Sequence, residues 1–241
     1  MKKHYIVLLL YNTIMAIGLF VCNYFWNTPY TSDNFSRKFL VFMTLLAILA
    51  LYHGLKHKSE LTLSNKSKAS YIPSMILFVP VVGFGIYSMI TGFSPTLTFL
   101  ILVIDTALIG IAEEGMYRVI LLGSMVRKMH PVLALVLSSL LFCLLHVLNL
   151  IGGLSVSEVI SQLGSTFVMG MFLGAMYLET KKPIFPVIFH SLWDYIILSG
   201  SLETLSFMPI ALVGTYAAEL LITLIIVIKL IKKKNQFRID G

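Results

Sequence analysis

Three short stretches of this 241-residue chain hold side chains able to activate water. The first reads Glu113-Glu114-Gly115-Met116-Tyr117-Arg118. On a helix Glu114 and Arg118 stand four residues apart on one face and can pair. Glu113 points about 100° away from Glu114 and is left for another task. The second stretch sets Phe142 four residues before His146, and the third sets His190 four residues before Asp194. Two imidazoles with two or three carboxylates make either a general-base site or a metal site. For a metal, the candidate ligands are Glu113, His146, His190 and Asp194, and zinc is the ion such a set suits.

These groups lie in strongly apolar surroundings. The chain is 58% hydrophobic and 12% charged, with a mean hydropathy of +0.90. A charged fraction about half the usual ~25% excludes an ordinary soluble enzyme or a disordered tail. Long unbroken apolar runs disfavour a β-barrel, whose strands alternate. The expected fold is all-α, a polytopic membrane helical bundle of about eight transmembrane helices. The runs cover roughly 5–26, 39–55, 72–90, 97–126, 131–150, 159–178, 184–200 and 209–231. No internal repeat stands out, so residues 1–241 read as a single integral membrane domain, with the chemistry carried in 97–200.

Depth ties the three stretches together. At 1.5 Å per residue, Glu113 lies roughly 21 Å from Arg127, and His146 roughly 22 Å from Pro131. His190 and Asp194 lie roughly 12 and 18 Å from Lys182. All four fall in one band inside the bilayer. Charged groups there cost about 2.5–3.5 kcal/mol each even on a lenient scale, so they persist by pairing, lining a wet cavity or doing chemistry. The remaining in-span acids, Asp105 and Glu219, read as structural. Asn149, one turn beyond His146, reads as a cap or an orienting group. Glu158 suits a helix N-terminus, and Gly170-x-x-x-Gly174 a close helix crossing.

The cations fix an expected orientation. With Lys2 and Lys3 inside, eight crossings put Lys56, Lys58, Lys66, Lys68, Arg127, Lys128, Lys181, Lys182 and the tail (Lys229, Lys232, Lys233, Lys234, Arg238) on the same side. Only Arg37 and Lys38 fall opposite. Positive residues mark the cytoplasmic side, so both termini are expected in the cytoplasm, with the chain in the cell membrane, a bacterial plasma membrane by its Lys-rich, Arg-poor character. Residues 1–26 read as an uncleaved helix, since no small-x-small site follows them. The basic C-terminal tail can attract anionic lipid or simply fix topology. The net charge of +7 thus belongs to membrane topology, and no nucleic-acid partner is expected. Cys22 and Cys143 read as apolar packing residues.

In this order, E-E-x-x-x-R, F-x-x-x-H and H-x-x-x-[N/D] within apolar helices, the motifs resemble the CPBP (Abi) family of intramembrane proteases. That family takes in type II CAAX prenyl endopeptidases and bacterial bacteriocin-processing and immunity homologues. The resemblance spans Glu113 to Asp194. Other intramembrane protease signatures, H-E-x-x-H, G-x-G-D and G-x-S-x-G, are absent from the sequence. The resemblance implies catalytic roles for Glu113, Glu114, Arg118, His146, His190 and Asp194. Glu113 with His146 would polarise the water, and Glu114 with Arg118 would be a supporting pair. His190 and the last motif residue would face the tetrahedral intermediate. Relatives often carry Asn where this chain has Asp194. Ionised Asp cannot donate to an oxyanion, so Asp194 is protonated, orients His190, or ligates a cation. A desolvated carboxylate can serve as base without a metal, so zinc is compatible rather than required. No organic cofactor is implied.

The leading expectation is therefore an endopeptidase cutting a membrane-associated peptide or protein near the cytoplasmic half of the bilayer. In a bacterium, bacteriocin maturation or self-immunity is a more natural setting than prenyl processing. Two further classes fit the composition. One is a non-catalytic immunity or scaffold protein that binds a peptide or partner. The other is a transporter, which is disfavoured because the in-span polar groups crowd into the second half of the chain.

Overall fold

The computed structural model describes residues 1–63, 71–200 and 206–232. Lys66, Lys68, Lys233, Lys234 and Arg238 lie outside the described residues. Eight apolar helices make up the bundle among those described. They are α1 (Lys2–Phe20, continued by a π-helical turn Val21–Phe25), α2 (Phe35–Lys56), α3 (Ile72–Thr91), α4 (Leu97–Glu114), α5 (Pro131–Leu145), α6 (Val156–Thr180), α7 (Ile184–Leu198) and α8 (Met208–Lys232). α4 runs on as a π-helical stretch Gly115–Leu122 and a short turn Gly123–Met125, and α5 ends in a 3₁₀ turn, His146–Leu150.

Six of the helices are long and apolar enough to cross a bilayer. The other two are α4, interrupted by Asp105, Glu113 and Glu114, and the 15-residue α7. These two carry Glu113, Glu114, His190 and Asp194. Cysteines 22 and 143 are free and buried.

Local sequence explains the boundaries. Pro131 sits at the first position of α5, where its missing N–H costs nothing. Ser155 and Glu158 form a reciprocal capping box that starts α6. Thr96 accepts from the Phe99 amide to start α4. α6 stops at Lys181, which adopts a left-handed φ of 58°, and Pro183 follows two residues later.

α4 is the centre of the bundle, packed against α2 on one side and α7 on the other. The α4–α7 crossing is very close. A Cβ at Gly110 would run into Ser191 Oγ and lie 2.8 Å from the Val187 carbonyl oxygen. Only glycine permits the two polar helices to meet there. Gly170 plays the same part for α6 against α5, where a Cβ would stand 3.0 Å from the Phe142 ring.

The two ends of the bundle differ. One end gathers Lys2, Lys3, Lys56, Lys58, Arg127, Lys128, Lys181, Lys182, Lys229 and Lys232. It is laced by polar links: Lys3 to Glu60 at 2.7 Å, Arg127 to the carbonyls of Ser59 and Thr62, and Glu179 to Ser74 and Lys229. The other end is made from the loops after α1, α3, α5 and α7. There the Tyr30 amide donates to the Gly152 carbonyl at 2.8 Å, and Asn23 donates to Ile151.

Candidate active site

The polar residues of α4 part company at their first step. Glu114 turns to the packed interior, with none of its side chain exposed, and lies 2.9 Å from Arg118 Nη1. The contact is an ion pair rather than an aligned hydrogen bond, since neither Glu114 Oε2 nor Arg118 Nη1 has a hydrogen-bond partner among the described residues. Arg118 also donates to the Gly170 carbonyl at 3.4 Å, and its guanidinium lies 4.2 Å above the Phe142 ring. A cation over an aromatic face is favourable, the more so when dry.

Glu114 has a second partner that spacing along one helix does not reveal. His190 Nδ1, on α7, lies 2.8 Å from Glu114 Oε1. With a carboxylate as partner, Nδ1 carries the proton and donates. His190 Nε2 then faces Glu113 Oε2 at 3.8 Å and Asp194 Oδ2 at 3.5 Å. Three carboxylates surround one imidazole, and only the Nδ1 contact is a hydrogen bond. The pairing fixes which edge of the ring turns toward Glu113 and Asp194.

Phe142 explains the second motif. Its ring meets His146 at 5.3 Å and His190 at 5.9 Å between centroids, edge to face. It therefore holds both imidazoles and supports Arg118. His146 opens the 3₁₀ turn at the end of α5, and its Nδ1 lies 3.2 Å from the Phe142 carbonyl oxygen. A carbonyl only accepts, so Nδ1 bears hydrogen and Nε2 is left as an acceptor.

Glu113, His146, His190 and Asp194 line one cavity of about 1110 Å³. Asp194 is the most open of the acids around His190, with 22% of its side chain exposed. The cavity reaches the surface at the loop end of the bundle, through the exposed Thr31, Asp33 and Asn34 and the start of α4. The cavity mouth lies at the end of the bundle away from the gathered basic residues. His146 stands four residues from the far end of its span, and the chamber is walled by the opposite loops.

Other expectations fare differently. Asn149 donates to Gln162 at 2.8 Å instead of orienting His146. Gln162 was not singled out from sequence, and a lone amide on an apolar helix gives no signal that would mark it. Asp105 lines the cavity with Oδ1 unpartnered among the described residues. Glu219 is fully buried with neither oxygen paired among them. Glu158 is the helix cap its position suggested. Among the described residues no three His, Cys, Asp or Glu side chains are gathered to hold a metal ion. Glu113, His146, His190 and Asp194 share the wall of one cavity.

Comparison with known proteins places this region. Residues 94–196 match the family model described as type II CAAX prenyl endopeptidase Rce1-like. The match takes in every candidate site residue from Glu113 to Asp194. No curated protein matches the chain.

Proposed function

From the membership of residues 94–196 in the CAAX-type protease family, we propose that this chain is an intramembrane endopeptidase hydrolysing a peptide or membrane-protein segment through Glu113-activated water. The observation that carries the reading is the convergence of Glu113, His146, His190 and Asp194 on one cavity, with Glu114 and Arg118 anchored behind it.

Water held between Glu113 and His146 Nε2 gives its proton to the Glu113 carboxylate as its oxygen attacks the scissile carbonyl carbon. The carbonyl π electrons move onto oxygen. His190, donating Nδ1–H to Glu114, carries a second proton on Nε2 and hydrogen-bonds the oxyanion. Such pre-aimed donors are a main source of catalysis in acyl transfer. Asp194 holds that Nε2 edge in place, which is the orienting role among those open to an aspartate there. Collapse of the intermediate breaks the C–N bond, and Glu113 returns its proton to the leaving amine.

We assign the basic end, with both termini, to the cytoplasm of a bacterial cell, on the positive-inside rule. Lys229 and Lys232 there are suited to anionic lipid headgroups. The physiological setting proposed is bacteriocin maturation or self-immunity, with CAAX-type processing as its counterpart in a prenylating cell.

The test compares peptides released by cells carrying the natural chain with those from a Glu113→Gln strain. Products should vanish in the variant while membrane insertion is unchanged. Cleavage at the normal rate by Glu113→Gln overturns the general-base assignment. Cells protected equally well by the variant would point to a non-catalytic immunity protein. Cysteines placed at Lys58 and Asn34 test the orientation: an impermeant thiol reagent should label only the second in intact cells.

A further inference from the structure

α4 presents a continuous stripe to the cavity: Thr98, Ile101, Leu102, Asp105, Ile109 and Glu113. Apart from the adjacent pair Ile101 and Leu102, steps of three and four residues keep these on one side of the helix. Asp105 stands between the cavity mouth at Leu97–Thr98 and Glu113 at its depth.

Asp105 is buried to 4% exposure, and Oδ1 has no hydrogen-bond partner among the described residues. The Ser36 side chain, at the start of α2, hydrogen-bonds the carboxyl group, and the Asp194 carboxylate acts on it across the cavity. Arg37 also borders the cavity, yet no ion pair joins it to Asp105 among the described residues, and its side chain is exposed. A carboxylate within a span is costly and is kept for pairing or for function. Here the free oxygen belongs to a residue lining the chamber that holds the candidate catalytic groups.

We propose that Asp105 is a substrate-binding residue that receives a cationic group of the peptide. This rests on the protease reading for its register. Eight residues of helix separate Asp105 from Glu113, roughly 12 Å. An extended chain advances about 3.3 Å per residue. A Lys or Arg side chain three to four residues from the scissile bond therefore reaches Asp105. A free N-terminal amine at the same distance offers the same charge.

The experiment uses the full-length Glu113→Gln chain in nanodiscs, so that binding is read without turnover. The probes are N-acetylated, C-amidated apolar decapeptides with one Lys, one Glu or one Ala at the same position. A fourth peptide is unacetylated and lacks Lys. The Lys peptide should bind at least tenfold tighter than its Glu twin. Asp105→Asn should erase that preference, Asp105→Arg should reverse it, and Asp105→Glu should keep it. Equal thermal melting of the Asn and Glu variants separates lost recognition from lost folding. Tighter binding of the unacetylated peptide alone assigns the amine as the ligand. Equal affinity for the Lys, Glu and unacetylated peptides, a preference that survives Asp105→Asn, or no binding at all overturns the proposal. An Asp105-dependent preference with no cleavage of these peptides by the Glu113-bearing chain would overturn the protease reading and leave the Asp105 assignment standing.

Discussion

Glu113 and Glu114 are neighbours in the chain and opposite in circumstance. Glu114 faces the packed side of α4, where Arg118 and His190 both bind its Oε1. Glu113 faces the cavity, and His190 Nε2 stands 3.8 Å from its Oε2. One carboxylate is consumed by structure, and the other is free for a proton. The difference teaches that buried charge in this bundle is of two kinds: one neutralised to hold helices together, one left underpartnered at the wall of a cavity.

The largest expected effect falls on the cavity side. Glu113→Gln should lower cleavage about 10³-fold, the usual scale for a lost general base. Its melting temperature in detergent should match the parent. A marked loss of stability would mean that Glu113 belongs to the structural set with Glu114. His146→Ala should also abolish cleavage, checked by mass spectrometry on the same substrate.

On the packed side the order reverses. Arg118→Ala leaves Glu114 with His190 as its remaining partner and should destabilise by about 3 kcal/mol, the low end of the cost of breaking one half of a buried pair. The measurement is thermal unfolding with yield from membranes. The Glu114→Leu, Arg118→Met double variant should be less damaged than Arg118→Ala alone, because no charge is left unpaired. It should still be slow, since His190 loses the acceptor that sets its ring. If the double variant is the worse folder, the pair contributes more than charge balance.

A smaller effect is expected where the two helices touch. Gly110→Ala drives a methyl group into Ser191 and the Val187 carbonyl. Such overpacking costs typically about 1–3 kcal/mol. It should also separate Glu114 from His190, so cleavage and stability should fall together in parallel assays. Exhaustive chelation separates a metal-free Glu113 base from a zinc site: cleavage that survives supports the first, and loss of activity restored by Zn²⁺ makes Glu113, His146, His190 and Asp194 metal ligands.

What could be read from sequence follows physical range. The eight apolar runs mapped onto the helices because a span is set by length and hydropathy, both local. Glu114–Arg118 was legible because four residues on one helix are neighbours by geometry alone. The Glu114–His190 contact was not, because it depends on how α4 and α7 are rotated against each other. Gly110 sets that rotation, and a single glycine in an apolar run carries no visible instruction. The role of Asn149 failed for the same reason: its partner Gln162 comes from the facing helix α6. The cavity mouth was also hidden, since distances measured along each helix say nothing of which end is closed by packing.

The π-helical stretch Gly115–Leu122 carries a consequence for how such chains vary in length. Its backbone bonds reach back five residues, so it holds more amino acids per turn than ordinary helix. A one-residue deletion within it can be taken up as a return to regular pitch. The same deletion between Asp105 and Glu113 would swing one carboxylate by about 100° relative to the other. Insertions and deletions among relatives of this chain should therefore be tolerated in the part of this stretch beyond Arg118 and be rare in the two turns before Glu114.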